Sequence, residues 1–117
     1  GCVWTDRLDA REIAVSLKKF QDDVVRPTWN MALTAEHRVT HAVFTIATEA
    51  AEVMDLFKKA RYSPRHNGKL DRKHLAEEIG DLLYGVCALC SEMDIDPEEC
   101  MAEVERKLRE RYPAAFE

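Results

Sequence analysis

Glycine and proline are scarce in this chain, four of each in 117 residues. The four prolines and Gly68 fall where helices would be punctuated, which predicts an all-α chain with short connections and little room for strands. No G-x-G-x-x-G and no G-x-x-x-x-G-K-[ST] occurs, so phosphate binding by a glycine-rich loop is excluded at motif level. Long apolar runs are also missing. The longest stretches without Asp, Glu, Lys or Arg, Val39 to Thr48 and Leu82 to Ser91, are ten residues each, about half of a bilayer span. No membrane partner is expected. Charges interrupt Gly1 to Phe20 every few residues, so no signal peptide is expected there.

Positive charge is the minority sign. Seventeen Lys and Arg stand against twenty-two Asp and Glu, giving a net charge of −5 and a pI near 5.4. That sign is wrong for gripping a phosphate backbone by counterion release, so no nucleic-acid polymer is expected as a partner. Four cysteines without loop-rich spacing suit a reducing compartment better than a disulfide framework, and a cytoplasmic location is expected. What is present is enough to fold: 46% hydrophobic and 33% charged residues describe one globular domain spanning 1–117.

Four helices are predicted. Asp9 and Glu12 read as a capping box for a first helix over about 10–25, with Ile13, Leu17, Phe20 and Val24 at helical spacing before Pro27. Thr34 caps a second over about 35–60, whose stripe Val39, Val43, Ile46, Ala50, Val53, Phe57 steps by 4, 3, 4, 3, 4. Asp71 caps a third over about 72–93, and Leu75, Ile79, Leu82, Val86, Leu89 and Met93 repeat the same steps. Both stripes are read as buried bundle seams. Asp96, Pro97 and Glu99 open a fourth helix through Val104 and Leu108 to about 111.

The two central helices repeat more than a stripe. At an offset of 29, Ile46 aligns with Leu75, Glu49 with Glu78, Glu52 with Asp81 and Val53 with Leu82. At about 100° per residue, each acid pair lies on the border of its seam. Packing the seams together would bring four carboxylates to one edge of the core. Two unit charges 4 Å apart repel by roughly 4 kcal/mol at an effective dielectric of about 20, so the cluster needs protons, basic partners or cations. Hard divalent cations are the simplest answer, and an all-carboxylate set suits magnesium far better than zinc. One acid pair at i, i+3 would ordinarily belong to a solvated face; two pairs in matched register favour a site.

Glu49-Ala-Ala-Glu52, a 25-residue spacer and Glu78-Ile-Gly-Asp81 resemble the E-x-x-E … E-x-x-D signature of the MazG-like, all-α nucleoside triphosphate pyrophosphohydrolases. The resemblance runs from about Trp29 to Phe116 and includes Lys107-Leu108-Arg109-Glu110-Arg111-Tyr112-Pro113. It implies a four-helix, MazG-type bundle completed by oligomerisation, as a homodimer or dimer of dimers, that cleaves a (deoxy)nucleoside triphosphate to monophosphate and pyrophosphate. It implies Mg²⁺, with Mn²⁺ as a possible substitute, held by Glu49, Glu52, Glu78 and Asp81, with Glu52 also activating water. Lys107, Arg111, Lys58 and Lys59 would meet phosphates, and Trp29 the base; Trp29 reads equally well as a core anchor. Where some relatives carry basic residues four positions before each acid pair, this chain has Thr45 and His74, so phosphate contacts are not expected there.

Cys87 and Cys90 form a lone C-x-x-C inside an apolar run and are read as core packing; His37 and His41 lack the glutamate of an H-E-x-x-H. No glutamate has a histidine three residues later, so a di-iron carboxylate bundle fails its own requirement. The alternative from another class is a non-enzymatic helical dimerisation module, which explains the seams but not the repeated acids.

Overall fold

The computed structural model describes residues 16–29 and 33–117. Four helices and no strand occur among them, the all-α architecture that the scarce glycine and proline predict. Helix α1 covers 17–28, α2 Ala35–Tyr62, α3 Arg72–Glu92 and α4 Pro97–Arg111, with 3₁₀ turns at Pro64–His66 and Pro113–Phe116. The expected capping box at Asp9 and Glu12 lies outside the described residues.

Helix α1 runs through Pro27 rather than stopping near residue 25. Proline lacks an N–H and its ring crowds the carbonyl four residues back, which would break a regular α-helix. The chain accommodates it with a π turn over Gln21–Val25, where the Arg26 N–H bonds back to the Gln21 carbonyl. Gln21 and Val25 both lie within this turn and are fully buried; Gln21 Nε2 donates to the Cys87 carbonyl at 3.3 Å.

The other three helices begin on side chains that accept otherwise unsatisfied backbone N–H groups: Thr34 from His37, Asp71 from His74 and Asp96 from Glu98. Between α2 and α3 the chain reverses through Asn67 and Gly68, both left-handed at φ 54° and 74°. The two long helices then pack side by side. Gly85 sets how closely they approach, since a Cβ there would sit 3.1 Å from Thr45 Cγ2 and 3.3 Å from Ile46 Cγ1.

Helix α1 lies over one end of this pair. Val25, Trp29, Ala42, Cys87 and Ala88 form the core, with Leu17, Phe20, Tyr84 and Leu89 packed against it. A 2.7 Å bond between Thr28 Oγ1 and the Tyr84 hydroxyl and a largely buried Arg38–Glu92 ion pair at 2.8 Å tie the same end together.

The seams are covered less than their periodicity predicts. Val43 and Phe57 on α2, Ile79 on α3 and Met93 just past its end are exposed, as are Phe44 and Met54. The reason is geometric, because α1 shields only one end of the α2–α3 pair and α4 buries only Pro97. Met101, Val104 and Leu108 on α4 stand in solvent.

Candidate active site

The seam register places Glu49 and Glu52 of α2 opposite Glu78 of α3, so that one ligating oxygen from each lies within 4.8 Å of the others. Among the described residues this is the group of His, Cys, Asp and Glu side chains able to hold a metal ion. Glu78 is buried at 8% exposure, unusual for a glutamate, and Glu52 is exposed. Asp81, one turn beyond Glu78, stands outside the tight trio, and its charge acts on both Glu49 and Glu52.

These acids distort one another's titration. Contact with the Glu78 carboxyl, then burial and the charges of Glu52 and Asp81, push Glu49 up to about 7. Glu52 is raised too, first by its hydrogen bond with Glu78. Glu78 moves the other way, held down by contacts from Glu52 and Glu49 and by His74. The crowding thus favours the protonated form of the two α2 acids and the ionised form of Glu78. Two buried oxygens, Glu49 Oε2 and Glu78 Oε2, still have no partner. Buried polar atoms are normally satisfied, so these oxygens and the crowding of like charges fit a hard cation.

The sequence reading gave His74 no role. Its Nε2 lies 3.0 Å from Glu78 Oε1, while the buried Oε2 has no partner. The signal was available in the i, i+4 spacing of His74 and Glu78 on one helix. Thr45 instead bonds its own helix, donating to the His41 carbonyl at 2.8 Å.

The remaining candidates are not gathered at the cluster. Trp29 is a core residue, stacked on His41 at 5.0 Å and 5.9 Å from the Tyr84 ring, with its indole N–H unpartnered. It also lines a cavity of about 230 Å³ with Val25, Arg26, Ser91 and Glu92. Lys59 pairs with Asp55 at 2.8 Å, and Lys58 is exposed beside it. Lys107 and Arg111 lie on the exposed α4 and form no ion pair among the described residues, while Arg106 and Arg109 are engaged by Glu103, Glu110 and Glu105. Cys87 and Cys90 are buried, and burial pushes the Cys87 thiol up to about 11, so it is unreactive near neutral pH.

No helix of the described residues is long and apolar enough to cross a membrane. No curated protein and no solved structure matched the chain. The MazG nucleotide pyrophosphohydrolase domain matches residues 39–116, two-thirds of the sequence, and that stretch contains both acid pairs, the hairpin joining them and all of α4. Hydrolases of this type are generally dependent on divalent metal, which agrees with a carboxylate cluster whose buried oxygens lack partners. By this match and this site, the chain belongs to the MazG nucleotide pyrophosphohydrolase family.

Proposed function

We propose that this protein hydrolyses a (deoxy)nucleoside triphosphate between its α and β phosphates, using Mg²⁺ or in its place Mn²⁺, and that it clears unwanted nucleotides from the cytoplasmic pool. The observation that carries the reading is the Glu49, Glu52 and Glu78 trio with its two unpartnered buried oxygens, within a pyrophosphohydrolase domain. Free thiols at Cys87, Cys90 and Cys100 suit a reducing compartment.

Glu49, Glu52, Glu78 and Asp81 are the residues that would hold the cation. When bound, it supplies charge neutralisation for the phosphates and lowers the pKa of water. Glu52 is the exposed member of the trio and so the one positioned to orient a water and take its proton. The oxygen of that water bonds to the α phosphorus as the bridging bond to the β phosphate breaks, and pyrophosphate leaves with the bond's electrons. His74 holds Glu78 in place during this exchange by its hydrogen bond to Oε1.

Lys58 and Lys59 serve the phosphates from the end of α2, and Trp29 with Tyr84 forms the aromatic end toward which the base points. Lys107 and Arg111 join the phosphates when copies associate. Self-association as a homodimer or dimer of dimers is supported by the apolar side chains left in solvent on α2, α3 and α4, among them Phe44, Met54, Phe57, Val104 and Leu108. Light scattering checks this, with a concentration-independent 13.4 kDa particle as the contrary result.

The decisive assay incubates the protein with a panel of nucleoside triphosphates and Mg²⁺ and separates the products by ion chromatography. Pyrophosphate with the matching monophosphate from at least one nucleotide is expected. Orthophosphate alone, or no product from any nucleotide, would sink the proposal.

A further inference from the structure

Positive charge is not spread evenly over this acidic chain. Seven of its seventeen Lys and Arg residues fall in positions 58–74, where Asp71 is the one acid. The balance there is +6 against −5 for the whole chain, leaving −11 on the other hundred residues. The structure puts all seven on the α2–α3 hairpin: Lys58, Lys59 and Arg61 in the last turns of α2, Arg65 and Lys69 in the reversal, Arg72 and Lys73 in the first turn of α3. Every one is exposed, and among the described residues only Lys59 is ion-paired. The reversal is built rather than loose, with the Lys69 N–H bonded to the His66 carbonyl at 2.8 Å and Asp71 capping α3.

Like charges held this close repel one another, so their segregation calls for an anionic occupant. The hairpin's position identifies its class. Lys58 and Arg72 are each six residues from the acid cluster, counted from Glu52 and Glu78, about 9 Å along either helix. The aromatic residues Trp29, His41 and Tyr84 lie in the opposite direction. Along the α2–α3 pair the order is therefore aromatic, acidic, basic, the order of a nucleoside triphosphate laid out as base, scissile α phosphate, and β and γ phosphates.

We propose that the 58–74 hairpin receives the polyphosphate end of the substrate, fixing its direction along the α2–α3 pair and drawing it in from solution. This deepens the pyrophosphohydrolase reading and rests on it for the position of the scissile bond. Lys58, Arg72 and Lys73 lie nearest the acids along their helices and are assigned to the β and γ phosphates or the departing pyrophosphate. Arg61, Arg65 and Lys69 lie farther along the hairpin and act at longer range by raising the local potential, an effect that salt screens over about 8–10 Å.

The test compares the wild-type protein with the triple variant Arg65→Glu, Lys69→Glu, Arg72→Glu and with the milder Arg65→Gln, Lys69→Gln, Arg72→Gln. Binding of magnesium tripolyphosphate is followed by calorimetry, which needs no turnover, alongside kcat/KM for the preferred nucleotide. At about 20 mM salt the charge-reversed variant is expected to bind at least about tenfold more weakly, the glutamine variant to fall between, and the differences to shrink to about twofold at 0.5 M salt. Circular dichroism identifies a misfolded variant, in which case the glutamine variant decides. Equal low-salt binding in wild type and variants would overturn the assignment. So would a single-stranded oligonucleotide that binds the hairpin more tightly than tripolyphosphate does. Hairpin-dependent tripolyphosphate binding without pyrophosphate release from any nucleotide supports the anion site and refutes the hydrolase reading alone.

Discussion

The acid cluster and the α4 helix carry the two halves of the chemistry this fold family would need, and the structure treats them differently. Glu49, Glu52 and Glu78 converge within one chain because they ride on two helices locked by a common seam and a close approach at Gly85. Lys107 and Arg111 sit on a helix that buries only Pro97 and leaves its apolar side chains in water. A site on packed helices is preorganised, whereas a site on an unsupported helix waits for something to cover it. On the proposed function, the cation end of the site would be a property of the single chain and part of the phosphate end a property of an assembly.

Changes to the cluster should have the largest effect. Glu78→Gln keeps the shape but removes a charged ligand and leaves an amide facing two acids, so steady-state assays are expected to show at least a thousandfold loss in kcat, about 4 kcal/mol of barrier. A variant within tenfold of wild type would move the site elsewhere. Lys107→Ala with Arg111→Ala is expected to reduce kcat/KM by about ten- to a hundredfold, and only in protein that light scattering shows to be associated; an equal loss in a monomeric form would erase the contrast between the two regions.

Gly85→Val tests the packing that separates them. The added methyls meet Thr45 and Ile46, already tight against a bare Cβ at 3.1 and 3.3 Å, and thermal melting is expected to show a loss of about 1–3 kcal/mol together with weaker cation binding. His74→Leu should weaken Mn²⁺ binding about tenfold while His74→Gln, which keeps an N–H donor, stays close to wild type; equal binding by all three would reduce the 3.0 Å contact to a surface pairing.

The smallest effect is on pH dependence. Glu49 holds its proton up to about 7, above its value in an unfolded chain, so the folded state binds more protons between the two. The stability this proton supports is complete below about pH 4.5 and is lost as pH rises through about 7. Without metal the melting temperature should therefore fall by a few degrees over that window, and saturating Mg²⁺ should flatten the decline. A metal-free profile that rises over the same window would contradict the crowding of the acids.

Much of this was legible beforehand because it depends on local rules. The caps at Thr34, Asp71 and Asp96 and the four-helix class follow from short-range hydrogen bonding and periodicity. The repeat marked acids on the seam border of both helices, and the antiparallel hairpin brings Glu49, Glu52 and Glu78 together because Gly85 packing opposite Thr45 sets Glu78 level with Glu52. Pro27 misled because its cost assumes a regular α-helix, and a π turn evades that cost with an i−5 bond. Exposure of Val43, Phe57, Ile79 and Met93 could not be read from their spacing, which reports that a face is apolar and not which chain covers it. Periodicity likewise hid His74, whose importance depends on how far Glu78 sinks between the helices.

Calorimetric titration of the metal-free protein with Mn²⁺ near pH 7, in buffers of different ionisation enthalpy, tests the central claim most directly. The wild-type chain is predicted to show saturable binding accompanied by proton release, since Glu49, pushed up to about 7, must give up its proton to ligate the ion. The Glu49→Gln, Glu78→Gln double variant is predicted to lose both the binding and the proton release. Indistinguishable titrations of the two proteins would show that these carboxylates are not the metal site.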